Sequence, residues 1–261
     1  MDRVAAAATA IAQARRTRTP LQALPEETAP RDLAEGYRIQ RAVHDLMLPQ
    51  TGALTGYKIG CTSKVMQDYL AIPHPCAGGV FARGVHDDGA RLSASDFVRV
   101  GVECEIAVKL SRDLPASERP FDAVRVGTSV EAYLPAIEIV DDRYARWQKM
   151  GAASLIADDF FAAGCVLAQP VSADAAPDLA GVVGRAIVNG SEVARGTGAD
   201  VLGHPLQALA WLANHLAAEG RSLHAGQFVL TGSLVKTLWL GPGDHVVMEL
   251  EGLGQVEAAF V

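Results

Sequence analysis

The chain has 261 residues, 49% of them hydrophobic and 20% charged, which allows a substantial buried core and excludes a disordered or fibrous protein. Its net charge of −7, with no basic cluster beyond "ARRTRT" (Ala14–Thr19), argues against a nucleic-acid backbone as partner. Cys61, Cys76, Cys104 and Cys165 are widely spaced with no CxxC pair, so a zinc ribbon or redox dithiol is unsupported. Free thiols in a reducing cytoplasm are the expectation.

The alanine-rich start predicts a helix over about Asp2 to Arg18. Its arginines follow the apolar part rather than precede it, which reads as an amphipathic helix and not a secretory leader. No run reaches the roughly 18 apolar residues that a membrane span needs, and a cytoplasmic location is expected. A second helix is predicted in "RDLAEGYRIQRAVHDLML", where Leu33, Tyr37, Ile39 and Val43 fall near a 3.6-residue period and Asp32 suits the helix start.

From Gly52 the pattern changes to short apolar runs broken by Gly, Pro and Asp, which predict strands. Among them are "LTGYKIG", "FVRVGVECEIAVKL", "YLPAIEIVDD", "GCVLA", "FVLTGSL" and "HVVMELEGLGQVEAAFV". Two helical stretches interrupt this region. "PFDAVRVGTSVEAYL" is the weaker. "HPLQALAWLANHLAAEG" is the stronger, with Pro205 in its first turn, a stripe of Leu206, Leu209, Leu212 and Leu216, and Gly220 past its end. "NGSE" and "GPGD" read as turns between strands. The expected architecture is α+β, with a helical region over 1–50 and one strand-rich catalytic unit over 51–261.

"GVECEIAVKL" carries two acids in an otherwise apolar strand. Strand alternation sends Val102, Cys104, Ile106 and Val108 to one face, and Glu103, Glu105, Ala107 and Lys109 to the other. The two acids therefore face the same way and repel. A later strand, "YLPAIEIVDDRY", holds Glu138 between Ile137 and Ile139, where burial is costly without a cation or donor. Two readings follow. The acids form a solvated face balanced by Lys109 or Arg143, or Glu103, Glu105 and Glu138 converge as oxygen ligands for a hard dication, Mg2+ or Mn2+. Three protein oxygens would leave about three coordination positions for water or a chelating substrate.

Lys58 stands in an apolar strand between Tyr57 and Ile59, with Gly56 and Gly60 on either side. Desolvation would lower its pKa toward that of a usable acid or base; the alternative is a lysine snorkelling from an edge strand. "TGSL" supplies the Thr231 and Ser233 hydroxyls around a glycine, either for a ligand or as an ordinary strand-ending turn.

Taken in order, "GYKIGCTSK", "GVECEIAVKL", "PAIEIVDDR", "GADVLGHPLQALAWLANHL" and "AGQFVLTGSL" resemble the 2-hydroxypentadienoate hydratase and 4-oxalocrotonate decarboxylase group of the fumarylacetoacetate hydrolase superfamily. The resemblance covers about residues 35–261. It implies a mixed β-roll behind an N-terminal helical region. It also implies Mg2+ ligands at Glu103, Glu105 and Glu138, a catalytic lysine at Lys58, and a substrate loop at Thr231 and Ser233. Small 2-oxo or 2-hydroxy acids would be the substrates, and a homo-oligomer, pentameric or decameric, the assembly.

Three places depart from the group's pattern. "PCAGG" has Cys76 and Ala77 where an acid and an aromatic are usual. "ADDFF" has Asp159, Phe160 and Phe161 in place of Asn, Ala and Ser. Asp142 replaces a serine. These changes should alter the pocket's size and polarity. The expected activity is metal-dependent hydration of a 2-hydroxy-2,4-dienoate. The alternatives are decarboxylation of a 2-oxo-enedioate, C–C hydrolysis of an acylpyruvate with His44 or His74 as the nearest acid–base candidates, and a non-catalytic keto-acid binder.

Overall fold

The computed structural model describes residues 2–261. In chain order it places α1 (Arg3–Thr17), α2 (Leu33–Thr51), β1 (Leu54–Gly60), α3 (Lys64–Leu70), β2 (Cys76–Phe81), β3 (Val85–Asp87), β4 (Ala90–Leu92) and β5 (Val100–Leu110). Then come α4 (Ala123–Gly127), β6 (Val130–Asp141), α5 (Ala152–Ala157), β7 (Ala162–Leu167), β8 (Val171–Ser172), β9 (Val183–Val188) and β10 (Ser191–Thr197). The chain finishes with α6 (Pro205–Ala218), β11 (Phe228–Ser233), β12 (Leu238–Trp239), β13 (His245–Leu250) and β14 (Gly254–Phe260).

Helix ends follow from their caps. Asp32 accepts from the Glu35 amide at 2.7 Å at the start of α2, and Pro205 opens α6, where its missing N–H costs nothing. The weaker helix predicted over Pro120–Leu134 needs correction. It stops at Gly127, and Val130–Asp141 is strand. Glu131 and Ala132 carry helix propensity, but β6 pairs with β5 along nearly its whole length, and that pairing wins. Pro135, which has no N–H, falls between the stretch of β6 paired with β8 and the stretch paired with β7.

The larger sheet runs β2-β1-β11-β5-β6-β7-β3, with β12 beside β5 and β8 beside β6; β1–β11 and β3–β7 are parallel and the other pairs antiparallel. It curls so that Val80 of β2 packs with Cys165 of β7, in a small apolar cluster with Ala107, Leu134, Ala136, Phe228 and Leu230. The other faces of β5 and β6, including Cys104, Ile106 and Ile137, join the main core. The second sheet, β10-β9-β13-β14-β4, lies on this side, with Gly184 of β9 against Cys104. The result is a mixed β-roll, as the resemblance of the ordered motifs implied.

Helices α1 and α2 add Ala7, Ala8, Ile11, Ala12, Ile39 and Val43 to the main core, all essentially inaccessible. No described helix is long and apolar enough to cross a membrane. Gly36 of α2 lets the backbone of α5 approach: a Cβ there would lie 2.6 Å from the Ala153 carbonyl oxygen. Gly36→Ala should gain about 1 kcal/mol of helix propensity but lose about 1–3 kcal/mol to overpacking. A net fall in the urea midpoint at unchanged m-value is expected; a midpoint that rises would show that this contact yields easily.

Candidate metal centre and active site

Glu103 of β5 stands directly opposite Glu138 of β6 in the antiparallel register, and Glu105 lies two residues along the same face, opposite Ala136. Each of the three offers a carboxylate oxygen within 4.8 Å of the others. Glu105 and Glu138 are 0% and 1% exposed, at the end of the roll's apolar interior, whereas Glu103 is half-buried. Like charges this close in a desolvated place require compensation.

Neither cation of the solvated-face reading provides it. Lys109 pairs with Glu131 at 3.0 Å, and Arg143 holds Asp158 and the carbonyls of Asp158 and Ala162. The cation is Lys58, from β1, separated from β5 by β11 in the sheet. Its Nζ lies 2.9 Å from Glu138 Oε1 and it is 3% exposed, so it does not snorkel. The contact is an ion pair by distance without hydrogen-bond alignment. Both Glu138 oxygens and Glu105 Oε1 therefore remain buried with no hydrogen-bond partner.

Two other oxygens are held. The Gly232 amide donates to Glu105 Oε2 at 2.8 Å. Gly232 has φ +123°, and a Cβ would stand 2.6 Å from the Thr62 methyl, so the position admits only glycine. The Thr237 hydroxyl donates to Glu103 Oε1.

Burial, then the charge of Glu138, push the Glu103 carboxyl up to about 7. Burial and both neighbouring carboxylates push Glu105 well above the usual range. The expectation that desolvation would lower Lys58 is corrected: burial does pull it down, but the charges of Glu138, Glu103 and Glu105 outweigh it and hold the ammonium charged. Three carboxylates against one ammonium leave a formal charge of −2. Orphaned buried oxygens, an all-oxygen donor set and that surplus charge fit one hard dication.

The other anticipated residues lie around this centre or away from it. The buried Thr231 hydroxyl donates to the Ile106 carbonyl at 2.8 Å, which commits it to the strand. Half-buried Ser233 makes only long contacts of 3.4 Å, to the Cys104 carbonyl and from the Val235 amide. His44 Nε2 stands 2.7 Å from Asp159 Oδ1, and His74 Nδ1 2.7 Å from the Pro75 carbonyl; neither joins the carboxylates. Of the divergent positions, Cys76 and Ala77 begin β2, where the Ala77 amide donates to the Tyr37 hydroxyl. Asp142 Oδ2 lies 3.7 Å from Arg99.

Sequence reasoning missed the Gly232 amide and Thr237 as partners of the carboxylates; Phe160, one of the divergent positions, has its ring centre 5.9 Å from Lys58 Nζ. The glycine inside "TGSL" was the one signal for the first. A separate cavity of about 260 Å³, lined by Arg15, Gln50, Arg83 and Asp159 among others, includes neither the three glutamates nor Lys58.

The raised carboxyls have a thermodynamic consequence. Glu103 binds its proton more tightly folded than unfolded, so its contribution to stability falls as pH rises from 4.5 to about 7. In EDTA, Tm should decline over that range, and Glu103→Gln should flatten the decline. Equal pH profiles for the two proteins would refute the assignment.

A model of the family described as "Fumarylacetoacetate (FAA) hydrolase C-terminal" matches residues 81–261. The chain is 33% identical over 259 residues to a 2-keto-4-pentenoate hydratase of Paraburkholderia phymatum, covering 99% of this chain and 98% of that one. It is 30% identical over 230 residues to a 4-oxalocrotonate decarboxylase of Pseudomonas putida, covering 87% and 85%. Among solved structures, the 4-oxalocrotonate decarboxylase from Pseudomonas putida G7 complexed with magnesium and adipate superposes with a TM-score of 0.93, at 27% identity over 99% of this chain and 97% of that chain. The same enzyme complexed with calcium and acetate gives 0.91. On sequence and fold together, the chain belongs to the fumarylacetoacetate hydrolase family, among its hydratases and decarboxylases.

Proposed function

We propose that the protein is a Mg2+-dependent hydratase that converts a 2-hydroxy-2,4-dienoate, through its 2-oxo-alkenoate form, into a 4-hydroxy-2-oxo acid. The observation that carries this reading is the convergence of three carboxylates, two of them essentially inaccessible, whose positive neighbour is a single buried lysine. Relatives named 2-keto-4-pentenoate hydratase support the reaction class, and the magnesium and calcium complexes of the structural neighbour support the metal.

Glu103, Glu105 and Glu138 would hold the ion, which supplies a Lewis acid for the adjacent carboxylate and 2-oxygen of the substrate. Gly232 and Thr237 fix the two carboxylates they hydrogen-bond, so those ligands need little reordering on binding. Lys58 carries the enol proton to carbon, giving the conjugated ketone to which water adds. Held as the ammonium, it delivers a proton to carbon and is recharged by the enol proton, so the transfer balances. Ser233, with its long contacts, is the loop hydroxyl that a substrate can recruit; Thr231 acts through the strand it ties down.

A second reading, decarboxylation of a 2-oxo-enedioate, is favoured by the close superposition on the decarboxylase. It would use the same carboxylates and lysine. The two separate in one assay with Mg2+: hydration consumes the dienoate's ultraviolet absorbance without gas release, whereas decarboxylation of the dioate releases carbon dioxide.

Glu138→Gln should lose both Mg2+-dependent stabilisation and turnover while its circular dichroism stays native. Lys58→Ala should still bind Mg2+ but turn over about 10²–10⁴-fold more slowly. Wild-type turnover in Lys58→Ala would remove the lysine from the mechanism.

A further inference from the structure

The segment after α5 is unusual in its backbone. Asp159, Phe160 and Phe161 have φ of 55°, 50° and 71°, three successive non-glycine residues in the left-handed region. Such conformations persist only where surrounding structure imposes them. Here it does. Arg15 of α1 holds both Asp158 and Asp159, the latter at 3.0 Å. His44 and the Gly79 amide hold Asp159 at 2.7 and 2.9 Å, and Arg143 holds Asp158 at 3.2 Å.

These contacts commit the Asp158 and Asp159 carboxylates to other partners and leave the Phe160 ring as the side chain of the segment beside the catalytic lysine. Phe160 is 6% exposed, with its ring centre 5.9 Å from Lys58 Nζ. Gly60 marks the space between them. A Cβ there would lie 3.4 Å from Lys58 Nζ and 3.7 Å from the Phe160 ring, with no other group close. Phe160 continues outward through Phe161 at 5.6 Å and Trp147 at 5.9 Å to Tyr69 at 5.6 Å, and Tyr69 is 55% exposed. A chain of aromatic rings thus leads from the amine to the surface. At its inner end Arg15 and Arg143 are committed to Asp158, Asp159 and main-chain carbonyls, while Arg146 and Lys149, beside Trp147, are exposed.

We propose that Phe160 determines specificity, receiving the substrate's tail on an aromatic wall and selecting monoacids with apolar tails over dioates. The inference rests on the reading that Lys58 and the three glutamates hold the 2-oxo acid end. An apolar tail gains by leaving water against the rings, about three- to fourfold in affinity per methylene. A second carboxylate in the same place would be buried against rings without a partner, and is rejected.

The test uses Mg2+-loaded protein and unreactive ligands, measured by titration calorimetry: 2-oxobutanoate, 2-oxohexanoate and 2-oxoadipate. In the wild type, 2-oxohexanoate should bind about tenfold more tightly than 2-oxobutanoate, and more tightly than 2-oxoadipate. Phe160→Ala should remove the chain-length dependence and leave 2-oxobutanoate little changed, while Phe160→Leu should retain most of it. An equal loss for all three ligands, or tighter binding of 2-oxoadipate by the wild type, would overturn the proposal; the latter comparison needs no variant to fold. Tail preference without turnover of any dienoate would overturn the hydratase reading alone. Failure of every 2-oxo acid to bind would overturn both.

Discussion

Repulsion among three carboxylates in a desolvated corner of the roll is the interaction on which the rest of this structure depends. Glu103, Glu105 and Glu138 could not be brought together there by apolar packing, which gains nothing from charge. The arrangement holds because Lys58 offsets one charge, Gly232 and Thr237 stabilise two of the carboxylates, and raised proton affinity mutes what is left. Each compensation is partial: with all three carboxylates ionised against one ammonium the formal charge is −2, a surplus that fits a hard dication.

Strand register supplies the geometry. Because Glu103 faces Glu138 across β5 and β6, a slip of one residue would send the glutamates of one strand into the main core and abolish the cluster. The long run of paired positions, with aliphatic residues on the opposite face filling the core between the sheets, makes such a slip prohibitive. Thus the same alternation that builds the hydrophobic core also aims the ligands.

Much of this could be read from residue order. Alternation in "GVECEIAVKL" and "PAIEIVDD" predicts both strands and the shared face of Glu103 and Glu105, and the ordered motifs imply the roll. What could not be read depended on partners distant in the chain. The charge state of Lys58 is decided by glutamates on β5 and β6, which local burial arguments omit. Thr231 and Ser233 offered hydroxyls in the sequence, yet the group facing Glu105 is the amide between them, because a bulge in the pairing of β11 with β5 falls there. Likewise the end of the "PFDAVRVGTSVEAYL" helix at Gly127 was set by a neighbouring strand and not by its own propensities.

Arg15 gives the amino-terminal helix a role that its own sequence does not announce. Positioned by Ala7, Ala8, Ile11 and Ala12 in the main core, it reaches across to Asp158 and Asp159 and so fixes the turn that carries Phe160. The placement of the Phe160 ring beside Lys58 is therefore governed partly from outside the roll. Substitutions on the buried face of that helix that shift Arg15 would thus be felt beside the buried amine, although the helix itself contributes nothing to the carboxylate cluster.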